Sequence, residues 1–357
     1  MIKAFHLRDS RLVARLQRVG TPLDIEEQLT HPRSPLRSVL LDTILAPHAG
    51  PSTFILDQQD EHGKSLGLAQ VRSRSGRPER DVVFMSPALT NGNGSHAIWQ
   101  RLLAHVCVKT AEQGNLRVYA RLPVKSEELQ LFKNVGFLEY SQEDIYQLDP
   151  AINRTAIRAT LTLRLQRPSD GWGLQKLYTT LAPRMVQNAE GLAQGQWALA
   201  QRRWGEQGRR EGYVWEVDGE ILGALHIRSG KRGYWMRTLL HPDALEQAEA
   251  LGEAALSLTA AQPHVPVYFA LREFEAGWRN VLPELGFKPL TSQTLVVKHM
   301  AVRVRKLSPA LIPALEQTPT EGTATTVMSP IELAQTTATP QKRQARRPNH
   351  QIFTSIL

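Results

Sequence analysis

The chain has 357 residues, a formal net charge of +9 and a single cysteine, Cys107. This length predicts two domains of about 150 residues each. One cysteine excludes an internal disulfide and a cysteine-based zinc site, and we expect no metal. No apolar run approaches the roughly 18 residues that span a bilayer, so we expect a cytoplasmic protein without a membrane segment. The positive charge is compatible with nucleic acid, phosphorylated cofactors or acidic substrates as partners.

The first half of the chain predicts a mixed α/β unit, because strand-like and helix-like periodicities alternate along it. Cys107 falls within its clearest helix, among apolar residues, and is expected to be a small buried hydrophobe. The predicted elements, in order, are a strand at 3–9, a helix from Ser10, a hairpin over 52–74, a strand at 81–87, a helix over 97–113, a strand at 116–122, a helix over 126–135 that Gly136 ends, and a strand at 144–148.

The second half repeats this order of elements. "GLAQVRSRSG" at 67–76 matches "GALHIRSG" at 223–230, "VYARL" at 118–122 matches "VYFAL" at 267–271, and "KNVGFLEY" matches "PELGFKPL". Matches in one order at nearly one offset indicate a duplicated domain rather than a short repeat. We therefore predict an α/β (α+β) fold with domains at 1–150 and 158–306, each a mixed twisted sheet flanked by helices. A flexible basic tail is predicted at 318–357, because its composition is rich in Thr, Pro, Gln and Arg.

The order of elements resembles the GNAT superfamily of acyl-CoA-dependent N-acetyltransferases. The resemblance covers residues 1–148 and, more loosely, 160–304. Its markers are a strand, a proline, a glycine-containing turn and a helix at 82–103, and the segment "LFKNVGF", which "VLPELGF" repeats. It implies that acetyl-CoA is the acyl donor, that an amine is the acceptor, and that the pantetheine arm lies between two parallel strands.

The resemblance places the pyrophosphate of acetyl-CoA on the turn before the helix. The aligned residues are Asn91, Gly92, Asn93, Gly94, Ser95 and His96, and the backbone N–H near Met85 aligns with the donor to the thioester oxygen. Unpaired N–H groups and the helix dipole make a helix start attractive to phosphate. A capped helix start with no ligand fits the same residues. The second copy has "HPD" and no glycine there, and the Asp243 carboxylate, expected as an N-cap, would repel a phosphate, so we expect no CoA site in that copy.

Catalytic residues are less clear. The resemblance implies a tyrosine acid four residues before Gly-Phe, but Phe132 and Leu282 occupy those positions. Three weak candidates remain in the first copy. They are Tyr119, Glu79 and Asp81. The pattern favours a core position for Tyr119, and it favours surface positions in a turn for the Glu79 and Asp81 carboxylates.

Three functions therefore stay open. The first is an N-acetyltransferase with one working site in the N-terminal copy. The second is a binding protein that keeps the fold without turnover. The third is a nucleic-acid-associated protein that uses the arginines of "VRSRSGRPER" at 71–80 and the basic run "QKRQARR".

Overall fold

In the computed structural model of the chain, the described residues are 1–45, 52–60, 63–74, 76–89, 93–191, 197 and 208–300. The predicted tail at 318–357 lies outside them. The elements of the first half are β1 (Ile2–Ala4), α1 (Ser10–Leu16), β2 (Thr21–Pro22), α2 (Ile25–Thr30), α3 (Pro35–Leu45), β3 (Thr53–Asp60), β4 (Gly63–Ser73), β5 (Glu79–Ser86), α4 (Asn93–Glu112), β6 (Arg117–Pro123), α5 (Glu127–Asn134) and β7 (Leu138–Leu148).

Among the described residues, the second half repeats the pattern with two helices, rather than three, before its hairpin. Its elements are β8 (Arg164–Leu165), α6 (Gly171–Leu181), α7 (Arg184–Glu190), β9 (Arg209–Val217), β10 (Glu220–Ser229), β11 (Tyr234–Leu240), α8 (Ala248–Ser257), β12 (Val267–Arg272), α9 (Trp278–Glu284) and β13 (Phe287–His299).

The described strands form one continuous mixed sheet, which confirms the predicted fold class. Its order is β1-β3-β4-β5-β6-β13-β7-β12-β11-β10-β9-β8, and β2 pairs with β5 off this path. All neighbours are antiparallel except β5 with β6 and β11 with β12. Both halves lie within one compact unit, Met1–Val304.

The last strand of each half is exchanged at the centre of the sheet. Strand β13 of the second half pairs with β6 and with β7. Strand β7 of the first half pairs with β13 and with β12. Neither partner of β7 therefore comes from its own half. The sequence patterns predict both strands but not this exchange.

Each half packs its own core between the sheet and two helices. In the first half α4 and α5 bury Trp99, Leu102 and Phe132 against the sheet. In the second half α8 and α9 bury Leu251 and Trp278. Burying one such side chain stabilises the fold by about 1.5–3 kcal/mol. Cys107 lies in the first core, as predicted, and burial raises the pKa of its thiol to about 11.

Several predicted boundaries shift. The helix expected over 97–113 begins four residues earlier, at Asn93, because its polar first turn carries no apolar periodicity. Gly136 ends α5 with φ of +91°, as expected of a helix C′ residue. The sequence of the second half also predicts a helix near 190–206. The structure has α7, Arg184–Glu190, at the start of this range, and of the residues after Glu190 it describes only 191 and 197.

Candidate functional site

An opening between two parallel strands is the main feature of the first half. Strands β5 and β6 pair at three positions, which are Glu79 with Arg117, Arg80 with Val118, and Asp81 with Tyr119. Beyond Asp81 the two strands no longer pair, although β5 continues to Ser86 and β6 to Pro123. The backbone edge of β5 is therefore released from β6 over its second half.

Strand β2 occupies this released edge of β5. Thr21 pairs with Met85 and Pro22 with Phe84. On either side, the backbone N–H of Leu23 donates to the Val83 carbonyl at 2.9 Å, and that of Ala88 donates to the Val19 carbonyl at 2.7 Å. Because β4 pairs with the other edge, Met85 has a strand neighbour on both sides and is fully buried.

Gly20 permits this close approach of β2 to β5. A Cβ atom at Gly20 would lie 2.3 Å from the ring of Phe84 and 2.7 Å from the Met85 carbonyl oxygen. A methyl group there would therefore force the two strands apart, since a backbone oxygen cannot move aside as a side chain does.

The start of α4 follows β5 after a short turn. Asn91 and Gly92 lie outside the described residues, as does the side chain of Asn93, the first residue of the helix. Gly94 is exposed, and a Cβ there would meet nothing within 4 Å. The predicted phosphate seat is thus open to solvent at its central glycine.

Two polar side chains sit in the first turn of α4. Ser95 is buried. His96 has its Nδ1 buried with no hydrogen-bond partner among the described residues, and its Nε2 lies 3.6 Å from Oε2 of Glu127. An imidazole nitrogen without a partner at a helix start suits an added hydrogen-bonding group.

The three candidate catalytic side chains are all engaged by other groups. Tyr119 is buried and donates its hydroxyl to the Ala189 carbonyl on α7 at 3.0 Å. Burial also raises the pKa of this phenol. This hydrogen bond therefore joins α7 to strand β6 of the first half.

Glu79 and Asp81 are not the surface carboxylates that the sequence predicts. Glu79 is only 2% exposed, and its carboxylate lies 3.2 Å from Arg117. Asp81 accepts from Arg74 at 2.7 and 3.0 Å. Burial acts to raise the pKa of Asp81, but the Arg74 guanidinium outweighs it and holds that pKa below its usual value.

Similar contacts account for three of the four arginines at 71–80. Arg72 forms ion pairs with Asp24 and Glu27 of the α2 segment, and Arg74 lies over the Tyr119 ring at 3.7 Å. Arg77 lies 3.6 Å from Glu79. These three side chains are paired with carboxylates of the protein itself. This removes the main support for nucleic-acid binding by this segment.

Helix α2 is a site feature that the sequence analysis missed. Asp24 caps it by accepting the N–H of Glu27 at 3.1 Å, so "LDIEE" carries the pattern of a capped helix start. Glu26 reaches Arg228 of the second half at 2.8 Å. Burial acts to raise the pKa of Glu26, but Arg228 outweighs it and lowers that pKa to about 2.

The second half has its own opening, between β11 and β12. These strands pair from Tyr234 with Val267 to Met236 with Phe269. Beyond Met236, no described strand pairs with the edge of β11 that faces β12. The Thr238 hydroxyl is buried there without a partner among the described residues.

Two further groups distinguish this second opening. Glu275, in a short 3-10 helix after β12, accepts the Arg272 N–H at 3.0 Å, and burial raises its pKa to about 8. The predicted N-cap Asp243 is 92% exposed, and His241 caps the 3-10 turn instead. With Pro242 directly after His241, the turn starts two residues earlier than expected.

Phe132 and Leu282, which occupy the positions of the family's acid, are both fully buried. In the part of the chain that the structure describes, no group of three histidine, cysteine or acidic side chains is arranged to hold a metal. Among the same residues, no helix combines the length and apolar character needed to cross a membrane.

Comparison with known proteins identifies the fold. No protein-family model matches this sequence, and no curated protein matches it. The structure is similar to a GCN5-related N-acetyltransferase from Sphaerobacter thermophilus, with a TM-score of 0.52 and 13% identity over 84% of this chain and 95% of that one. The fold is therefore that of the GCN5-related N-acetyltransferases.

Two further solved structures are similar over 84% of this chain. One is a GCN5-related N-acetyltransferase from Kribbella flavida, with a TM-score of 0.43, 12% identity and 70% of that chain covered. The other is a tandem GNAT protein from the clavulanic acid biosynthesis pathway, with a TM-score of 0.44, 14% identity and 98% of that chain covered.

Proposed function

We propose that this protein is an N-acetyltransferase that uses acetyl-CoA as donor and an amine as acceptor, with one site in its N-terminal half. The observation that carries the proposal is the opening between β5 and β6, followed directly by the start of α4 with its open Gly94. The helix start offers unpaired N–H groups to a phosphate, and the opening offers a strand edge to an extended arm.

This proposal carries a structural condition. An arm that lies along β5 requires the same backbone groups that bind Val19 and Leu23. Residues 19–23 must therefore leave the edge of β5 before such an arm can pair with it. We infer that β2 competes with the donor.

A second candidate function is a binding protein with this fold and no turnover. Acyl transfer needs a base for the amine and an acid or water for the leaving thiolate. Tyr119, Glu79 and Asp81 are each held by other groups, and Phe132 and Leu282 cannot donate a proton. These contacts favour a protein that does not catalyse acyl transfer. They do not bear on whether acetyl-CoA binds.

Calorimetric titration of acetyl-CoA tests the binding site. We expect one site per chain, and we expect Gly94→Trp to abolish binding because the indole would cover the helix start. Ala97→Trp is the matched control, since Ala97 is also exposed on α4 but lies further along the helix. If wild type and both variants give no heat and no thermal shift, the site does not bind acetyl-CoA.

Gly20→Ala tests whether β2 competes with the donor. The added methyl group would clash with the Met85 carbonyl and displace β2, so we expect acetyl-CoA to bind about tenfold more tightly. Gly94→Ala adds the same methyl group where nothing is within 4 Å and should leave β2 in place. Hydrogen exchange at the Leu23 amide should rise in the first variant only.

Turnover then separates the two candidate functions. Release of free CoA thiol in the presence of a panel of amines would support the acetyltransferase. Binding without thiol release, in wild type and in Gly20→Ala alike, would leave the binding protein. Tighter binding by Gly94→Ala than by Gly20→Ala would contradict competition by β2.

A further inference from the structure

Four arginines lie along one exposed face at the start of the chain. They are Arg8, Arg11, Arg15 and Arg18, and all four are exposed. Arg8 belongs to a 3-10 turn that leads into α1, Arg11 and Arg15 lie on α1, and Arg18 follows its end. We call these residues the arginine stripe.

The spacing explains why the stripe is continuous. Steps of three, four and three residues return to the same face of a helix. The opposite face of α1 is buried, since Val13 and Leu16 pack in a cluster with Ile55 and Phe84. The core thus fixes the helix with its arginines outward.

The stripe carries no compensating acid among the described residues. None of its four guanidinium groups forms an ion pair with a described carboxylate. The adjacent Asp9 is held by Lys3 at 2.7 Å instead. Arg72, Arg74 and Arg77, by contrast, are paired with carboxylates of the protein itself.

We propose that the arginine stripe binds the phosphate backbone of a nucleic acid. From Arg8 to Arg18 a helix rises about 15 Å. One strand of a duplex advances about 3.4 Å per phosphate, so this length matches about four phosphates. Each guanidinium presents a planar pair of donors to a phosphate, which a lysine ammonium does not.

The chemistry of the stripe also defines what it reads. It contains no aromatic side chain, so it offers no platform for stacking bases and contacts the backbone without regard to sequence. A membrane surface fits less well, because the apolar face of α1 is buried in the core and cannot insert into lipid. This activity is independent of the proposed acetyl transfer.

Salt-dependent binding of a fluorescein-labelled 20-base-pair DNA duplex tests this proposal. We expect the slope of log affinity against log salt to become shallower by about 3–4 in R8Q/R11Q/R15Q/R18Q, since about 0.9 is lost per phosphate contact. The matched control is R158Q/R167Q/R184Q/R232Q, which removes the same charge from exposed positions of the second half. Its slope should stay within about 1 of wild type.

Three outcomes would overturn the proposal. The first is a wild-type protein that, despite its charge of +9, shows no salt-dependent binding to the duplex. The second is a control variant that loses as much slope as the stripe variant, which would make net charge the cause. The third is a stripe variant that binds the duplex as wild type does and loses binding only to phosphatidylserine vesicles. Thermal melting of both variants checks that each remains folded.

Discussion

Both halves of the sheet have an opening between two parallel strands, but the strand edge at the opening is paired in one half and not in the other. In the first half β2 pairs with the released edge of β5. In the second half no described strand pairs with the corresponding edge of β11. The first opening keeps a glycine at the helix start, whereas the second has Pro242 and the exposed Asp243. The half with the predicted phosphate seat is thus the half in which a strand of the chain, β2, pairs with the edge of β5 that we propose for the donor.

A second difference concerns how each half holds a helix of the other. Helix α2 of the first half forms a partly buried ion pair with the second half, between Glu26 and Arg228. Helix α7 of the second half accepts a neutral hydrogen bond from the first half, donated by the Tyr119 hydroxyl to the Ala189 carbonyl. The polar contacts that hold these two helices therefore differ, since one is charged and the other is neutral.

We expect the largest effect from separating the two halves. A fragment of residues 1–150 contains β7 but neither of its partners, β12 and β13. We expect it to lack a cooperative melting transition as a monomer, because a central strand loses both of its ladders. Light scattering and circular dichroism measure this.

Residues 1–304 serve as the control for the fragment and should fold, since they hold every described element. A monomeric, cooperatively melting 1–150 fragment would contradict the importance of strand exchange. It would instead support the predicted boundary at residue 150 as an independent domain.

The next test compares the two contacts between halves. Arg228→Met leaves the Glu26 carboxylate buried without its partner and should lower the free energy of unfolding by about 3–5 kcal/mol. Tyr119→Phe removes one neutral hydrogen bond and should cost about 1 kcal/mol. Urea unfolding measures both losses of stability. Equal losses would show that the ion pair stabilises the fold no more than the Tyr119 hydrogen bond does.

The last test uses pH to probe the second half. The pKa of Glu275 is raised to about 8, so the folded state keeps a proton that the unfolded state loses above its ordinary pKa near 4.5. Stability must then fall as pH rises between these values, by about 1.4 kcal/mol per pH unit. Glu275→Gln should remove this slope.

Glu273→Gln is the matched control, because Glu273 is exposed in the same 3-10 helix. Thermal unfolding between pH 5 and pH 8 gives the slopes. Wild type and Glu275→Gln with parallel pH profiles would show that Glu275 does not hold its proton. Glu26, whose pKa is lowered, predicts the opposite behaviour, with stability lost only as pH falls below about 4.5.

Much of the fold follows from short-range patterns. The hairpin of β3 and β4, the apolar stripe of α4 and the stop at Gly136 are all set by residues close together in the chain. The predicted duplication also rests on sequence alone, because three pairs of similar segments indicate it without any structure. Less of the candidate site follows from sequence patterns. Asn91 and Gly92 lie outside the described residues, and the roles of Asn93, Gly94, Ser95 and His96 stay predictions.

The amino-acid sequence by itself determined the class of fold, the order of the longer strands and helices and the burial of Cys107, because local periodicity and composition decide them. Only the tertiary structure decided three other features. It paired β2 with β5, exchanged β7 and β13, and turned Glu79 and Asp81 inward onto arginines. The physical reason is distance along the chain: Glu26 and Arg228 are 202 residues apart, and no local pattern specifies which charge a buried carboxylate will meet.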